Sequence, residues 1–216
     1  MKLILIYLRV RCHLPIILMG ETGVGKTSLV DYLAKVIDAE CMTMNIHAGI
    51  TDDEIAKFMG EAQDKAKQFY NNKKVDPSTQ QMVVKKVIIF FDEINTNQNI
   101  SGLLKEIFID RCVLGDPLME NIALVSACNP YKLRDRELSQ QTSGLQYKAR
   151  DESMTRLVYR VNPLPESMIS FIWDYKSLNV EEEKKYIEKM IQQKYENSTI
   201  TGKSFSLIKL WVKKDP

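Results

Sequence analysis

Gly20-Glu21-Thr22-Gly23-Val24-Gly25-Lys26-Thr27, with Ser28 behind it, holds residues whose types and spacing bind phosphate. The stretch fits G-x-x-x-x-G-K-[ST]. Its glycines let the backbone curl so that successive N–H groups point into one concavity, and a helix starting there adds the positive end of its dipole. Lys26 is placed to offset charge on the β- and γ-phosphates, and the Thr27 hydroxyl is an oxygen donor suited to Mg²⁺. These residues imply a bound nucleoside triphosphate.

Two further groups follow in the chain. Val87-Ile88-Ile89-Phe90-Phe91 is an unbroken apolar run that ends in Asp92-Glu93. A carboxylate at the rim of a buried strand, beside a phosphate loop, suits the metal of a nucleotide, which assigns Asp92 to Mg²⁺. Glu93, turned the other way, is placed to orient or deprotonate an attacking water. A third apolar run, Ile122 to Ala127, ends shortly before Asn129-Pro130. Asn129 reads either as a hydrogen-bond donor to the water or γ-phosphate, or as a turn asparagine before proline. Asp92-Glu93-Ile94-Asn95 is not D-x-x-G, and Asn72-Lys73-Lys74-Val75-Asp76 misses N-K-x-D by one position, so a GTPase is disfavoured.

The elements that must position these groups have the pattern of a parallel α/β domain. Leu14 to Met19 reads as a strand before the phosphate loop, and Ser28 to Ile37 as a helix after it with Leu29, Val30, Leu33, Ala34 and Ile37 inward. Cys41 to Ile46 reads as a second strand. Thr51-Asp52-Asp53-Glu54 forms a T-x-x-E capping box ahead of a long helix marked by Ile55, Phe58, Met59, Ala62, Ala66 and Phe69. Ile100 to Phe108 suggests another helix, closed by Gly115 and Pro117. A fifth strand is expected at Leu157 to Val161, then a helix from Glu166 and another from Val180 to Tyr195. His47, alone at a strand end, reads as structural.

With 216 residues the chain can bury one full core and carry an appendage. Its formal charge of +2, from 30 basic and 28 acidic residues, offers no field to hold nucleic acid or an anionic membrane. Cys12, Cys41, Cys112 and Cys128 are far apart, with two histidines in the chain, so neither a zinc site nor a disulfide framework is legible. The apolar run Leu3 to Leu8 is too brief for a membrane span or a signal core, which makes a cytoplasmic chain the expectation. Asn71 to Gln81 and Lys132 to Thr155 read as long polar loops.

In this order, the phosphate loop, the Asp92-Glu93 strand and the Asn129 strand resemble the Walker A, Walker B and sensor-1 elements of AAA+ ATPases. Four segments are similar to the mysterin family of giant RING-finger E3 ubiquitin ligases, which carry a dynein-like array of AAA+ units. They are Pro15 to Gly23, Phe90 to Thr96, Ala127 to Tyr131 and Leu157 to Ser167. The resemblance implies a three-layer P-loop α/β fold with a five-stranded parallel sheet over residues 1–165. The start of a small helical lid, incomplete, is expected over 166–216, with Phe171, Ile172 and Trp173 exposed. It implies ATP and Mg²⁺ as cofactors, and hydrolysis with Glu93, Lys26 and Asn129 as catalytic residues. Neighbouring AAA+ units, in the same or another chain, are the implied partners, and ubiquitin machinery would act through regions beyond these residues. In that family an arginine finger lies shortly before the fifth strand and acts on the adjoining unit. Arg156 is the first candidate and Arg150 the second, ahead of Arg134, Arg136 and Arg160. The rival readings are a nucleotide-gated binding module with little turnover and a small-molecule kinase.

Overall fold

The computed structural model describes residues 2–72, 74–75, 82–131, 161–175, 181, 184–189 and 192. The chain divides into two compact units, Met1–Tyr175 and Lys176–Pro216. Among the described residues of the second unit, 181, 184–189 and 192 are helical.

The first unit is built on a five-stranded parallel sheet. Its strands in chain order are β1 (Ile16–Met19), β2 (Glu40–Asn45), β5 (Val87–Asp92), β8 (Ile122–Cys128) and β9 (Ile172–Asp174). Two short antiparallel hairpins supply the remaining numbers: β3 (Lys74–Val75) with β4 (Met82–Val83), and β6 (Cys112–Val113) with β7 (Asp116–Pro117). The order across the sheet is β2-β5-β8-β1-β9. After β1 the chain therefore leaves for the far edge, returns through β5 and β8 to lie beside β1, and crosses it to add β9. Strands whose connections depart in opposite directions leave a crevice at their C-terminal ends, where ligands bind in open α/β sheets.

Alternation in the buried strands decides which helix covers which face. Ile16, Leu18, Ile88, Phe90, Ala123, Val125 and Ala127 form one core with Val30, Leu33 and Ala34 of α2 (Lys26–Val36) and Ile6 and Val10 of α1 (Lys2–Arg11). Ile17, Val87, Ile89, Phe91, Ile122 and Leu124 point the other way. There they meet Ile55, Met59, Ala62 and Ala66 of α3 (Asp52–Asn71) and Leu103 and Leu104 of α4 (Ser101–Lys105). The Phe91 ring lies 5.9 Å from that of Phe58 and 6.1 Å from that of Phe108. Burial on both faces explains why β5 and β8 read as continuous apolar runs. The expected three-layer architecture is thus present.

Several local expectations are corrected. Helix α1 forms where no element was read, because Ile6 and Val10 lie one turn apart and both reach the core. The helix at Ser101 ends earlier than Gly115: α4 passes into a π-helical turn at Glu106–Asp110, and Arg111 stops it in a left-handed conformation. Gly115, at φ +86°, instead turns the β6–β7 hairpin. For the fifth strand, residues 157–160 lie outside the described residues and Val161 is irregular, while the place beside β1 is taken by Ile172–Asp174. Glu166–Phe171 is a short 3₁₀ helix that delivers the chain to it. Phe171, Ile172 and Trp173 are consequently half-buried against the two cores. Among the described residues no helix is long and apolar enough to cross a membrane.

The capping box at α3 forms as read. The Thr51 hydroxyl accepts the Glu54 N–H at 3.4 Å, and the Glu54 carboxylate accepts the Thr51 N–H at 2.9 Å. Thr51→Ala should lower the unfolding free energy by about 1 kcal/mol, the usual worth of an N-cap hydroxyl. Urea titration checks this, and an unchanged midpoint would remove the cap from the helix's support.

Candidate functional site

Three neighbouring strands, β5, β8 and β1, bring the sequence-derived groups to one edge of the sheet. Met19 pairs with Cys128, and Phe91 with Ser126, so the parallel register ends all three strands at nearly the same height. The chain after β1 is tied down by a hydrogen bond from the Gly20 N–H to the Cys128 carbonyl, 3.2 Å. Gly23 and Gly25 then adopt φ values of +85° and +86°, which a side chain would strain. Gly25 is the N-cap of α2, so the N–H groups of the first helical turn face the loop's concavity.

Lys26 is 7% exposed. Its ammonium donates to the carbonyls of Gly20 at 2.6 Å and Glu21 at 2.9 Å, folding back over its own loop. Burial lowers its pKa, and the nearby carboxylates of Asp92 and Glu93 only partly oppose this. Beneath it, the thiol of Cys128 is pushed up to about 12 by burial, so it stays protonated and serves as packing.

Thr27, one residue on, donates its hydroxyl to Asp92 Oδ2 at 2.9 Å. Asp92 Oδ1 accepts the Glu93 N–H at 3.0 Å. That second bond accompanies a left-handed Glu93 at φ 58°, a conformation that costs a non-glycine residue roughly 1–3 kcal/mol and tends to persist at functional sites. The Glu93 side chain is exposed. The adjoining hard oxygens of Thr27 and Asp92 fit the donor set of a magnesium ion.

Asn129 stands between the two halves of the site. Its amide nitrogen reaches Glu93 Oε1 at 3.5 Å, and its Oδ1 accepts from the Thr22 hydroxyl at 3.4 Å. Its side chain therefore faces Thr22 of the stretch Gly20 to Ser28. Arg156 and Arg150, like Arg134, Arg136 and Arg160, lie outside the described residues.

A family model described as the RNF213 AAA domain matches residues 1–132. The chain belongs to the RNF213 AAA domain family. This bears out the resemblance to the giant RING-finger E3 ubiquitin ligase family with its AAA+ units. Curated relatives include the E3 ubiquitin-protein ligase rnf213-beta of Danio rerio, 35% identical over 212 residues, 90% of this chain and 4% of that protein. The E3 ubiquitin-protein ligase RNF213 of Mus musculus is 36% identical over 214 residues, 89% of this chain and again 4% of the relative. The chain thus spans about one twenty-fifth of these relatives. Thermotoga maritima RuvB superposes on 88% of this chain and 48% of its own at 14% identity, with a TM-score of 0.49.

Sequence reasoning missed the asparagines that hold this RNF213-type site together. Asn95 is 5% exposed and bonds to both main-chain groups of Asn129. Asn97, 6% exposed, donates to the carbonyls of His47, Ala48 and Ile50 and fixes the loop after β2. Asn162 donates from its N–H to the Asn95 carbonyl at 2.7 Å and from its side chain to the Thr96 carbonyl at 3.3 Å. The available signal was polarity directly after a wholly apolar strand, where an exposed loop and a buried network look alike.

The position of Lys26 predicts a pH dependence. Folding lowers its pKa from the ordinary 10.5, so the unfolded chain binds more protons between the lowered value and 10.5. Stability contributed by this group therefore rises as pH climbs through that window. In denaturant titrations at stepped alkaline pH, the unfolding free energy of the unmodified chain should rise relative to that of Lys26→Met. Parallel curves would mean that the ammonium is not desolvated.

Proposed function

We propose that this chain binds MgATP at the loop Gly20 to Ser28 and hydrolyses it. The observation that carries the reading is the convergence of Lys26, Thr27, Asp92, Glu93 and Asn129 on one edge of the sheet, joined by the Thr27–Asp92 and Asn129–Glu93 contacts. In an ATP complex the ammonium of Lys26 exchanges its carbonyl partners for β- and γ-phosphate oxygens, and the backbone N–H groups around Gly23 and Gly25 cradle the phosphates. Thr27 and Asp92 would hold the magnesium ion, which when bound offsets charge on the triphosphate. Glu93 accepts a proton from the water that attacks the γ-phosphorus in line with the departing ADP oxygen. Asn129 donates a hydrogen bond that fixes that water or the γ-phosphate.

The source of the remaining positive charge is assigned to an arginine finger, with Arg156 as first candidate and Arg150 as second, acting on the nucleotide of an adjoining AAA+ unit. The wider role proposed is that of one nucleotide-driven unit within a much longer E3 ubiquitin ligase, with the transferase chemistry and its RING outside these residues. Support comes from the curated relatives' names and from the small share of their length that this chain spans.

MgATP binding and phosphate release are to be followed in the same sample. Lys26→Ala should abolish both. Glu93→Gln should bind MgATP within about threefold of the unmodified chain and lose phosphate release by about 100-fold or more, the scale of general-base removal. Release at the unmodified rate would reject Glu93 as the base, whereas binding without release in the unmodified chain would favour a nucleotide-gated module whose finger lies elsewhere.

A further inference from the structure

We propose that Asn95 is a positioning residue that makes the site respond to the γ-phosphate, by clamping the main chain of Asn129. The inference rests on the ATP reading above and names a residue that reading does not use.

The geometry begins with the end of β8. The strand stops at Cys128, and its ladders reach Cys128 on the β1 side and Ser126 on the β5 side. Asn129 is thus one residue beyond the sheet yet still buried, at 7% exposed. Its N–H and C=O need partners that the sheet does not supply. Asn95 provides both. Its Oδ1 accepts the Asn129 N–H at 3.3 Å, and its Nδ2 donates to the Asn129 carbonyl at 2.8 Å. A primary amide offers a donor and an acceptor side by side, and so pairs with a peptide unit's two groups as a neighbouring strand would. With its main chain held at both groups, Asn129 can turn its side chain only about its own rotamers. In the rotamer observed it bridges Thr22 and Glu93.

The clamp also has an anchor. The Asn95 carbonyl accepts the Asn162 N–H at 2.7 Å, and the adjacent Thr96 carbonyl accepts from the Asn162 side chain. Thr96 itself donates to the carbonyls of Ile46 and Glu93. The Walker B loop, the Asn129 turn and the segment entering the 3₁₀ helix before β9 are therefore joined at one residue. Substituting aspartate would set a carboxylate oxygen against the Asn129 carbonyl. Substituting alanine would leave both of its groups without that partner in a buried place.

The test measures affinities of the full chain for MgADP and for Mg-ATPγS, in the unmodified protein, Asn95→Ala, Asn95→Asp, Asn129→Ala and the Asn95→Ala/Asn129→Ala pair. Thermal unfolding verifies that each variant is folded, and Asn95→Asp, close to isosteric, stands in should Asn95→Ala fail to fold. MgADP affinity should stay within about twofold in both Asn95 single variants. Mg-ATPγS affinity should fall about tenfold or more in Asn129→Ala, as for loss of one hydrogen bond to a charged group, and by a similar factor in both Asn95 variants. The double variant should be no weaker than Asn129→Ala, since Asn95 acts through Asn129. Equal weakening of both nucleotides would overturn the inference by showing a general structural role, and so would additive losses in the pair. An unmodified chain that binds neither nucleotide overturns the ATP reading together with this one. A preference for the triphosphate that survives Asn95→Ala overturns this one alone.

Discussion

The parallel pairing of β5, β8 and β1 is the constraint on which the rest of this structure depends. All three strands are covered on both faces, so charged side chains are expelled to the ends, where the sheet stops. The register that aligns Met19 with Cys128 and Phe91 with Ser126 brings those ends level. Lys26, Asp92 and Asn129 come together for that reason, although 103 positions separate the first from the last in numbering. Slipping β8 by one residue would turn Ser126 and Cys128 to the opposite faces and carry Asn129 away from Glu93.

Where the strands stop, asparagine side chains replace the lost ladder. Asn95 completes the backbone of Asn129, Asn97 takes the carbonyls after β2, and Asn121 at the opposite end of β8 donates to Ala66 and Lys85. Each is buried, and each donates from its amide nitrogen to main-chain carbonyls. The arrangement avoids burying ionised groups at the sheet ends, where desolvation would be expensive. Lys26 is the exception, and burial lowers its pKa. The left-handed Glu93 is a conformational strain at the same edge. Both sit at the residues given chemical roles, as expected when local consistency yields to function.

How much of this was legible in the sequence follows from what fixes each element. The phosphate loop was legible because phosphate chemistry demands glycine, lysine and a hydroxyl at set spacing, and β5 and β8 because burial on both faces leaves long apolar runs. The capping box at Thr51 was legible for its local hydrogen-bond pair. Helix α1 was obscured because its two fully buried residues, Ile6 and Val10, are embedded among exposed Ile4, Leu5 and Leu8 that blur the helical stripe. The edge strand β9 was hidden for another reason. Three residues carry no period, and Ile172–Asp174 becomes a strand only because β1 offers an open edge, with Tyr175 N–H closing onto the Met19 carbonyl at 2.6 Å. Asn95 was present in the motif segment, but its role depends on a partner 34 residues away.

The distribution of arginine bears on turnover. Among the described residues Arg9 and Arg11 belong to α1, and Arg111 donates to the Ile122 carbonyl at the start of β8, the end of that strand opposite Asn129. None of these three can lie over a phosphate at the Lys26 edge without dismantling the element it belongs to. Lys26, by contrast, lies at that edge, with its ammonium on the carbonyls of Gly20 and Glu21. Under the proposed ATPase reading, an arginine finger would be worth about 10³ to 10⁵ in rate, or roughly 4–7 kcal/mol of barrier. On that same proposed reading, the groups that would hold the phosphates and the arginine that would speed their cleavage belong to different pieces of chain, so affinity and rate would be governed separately.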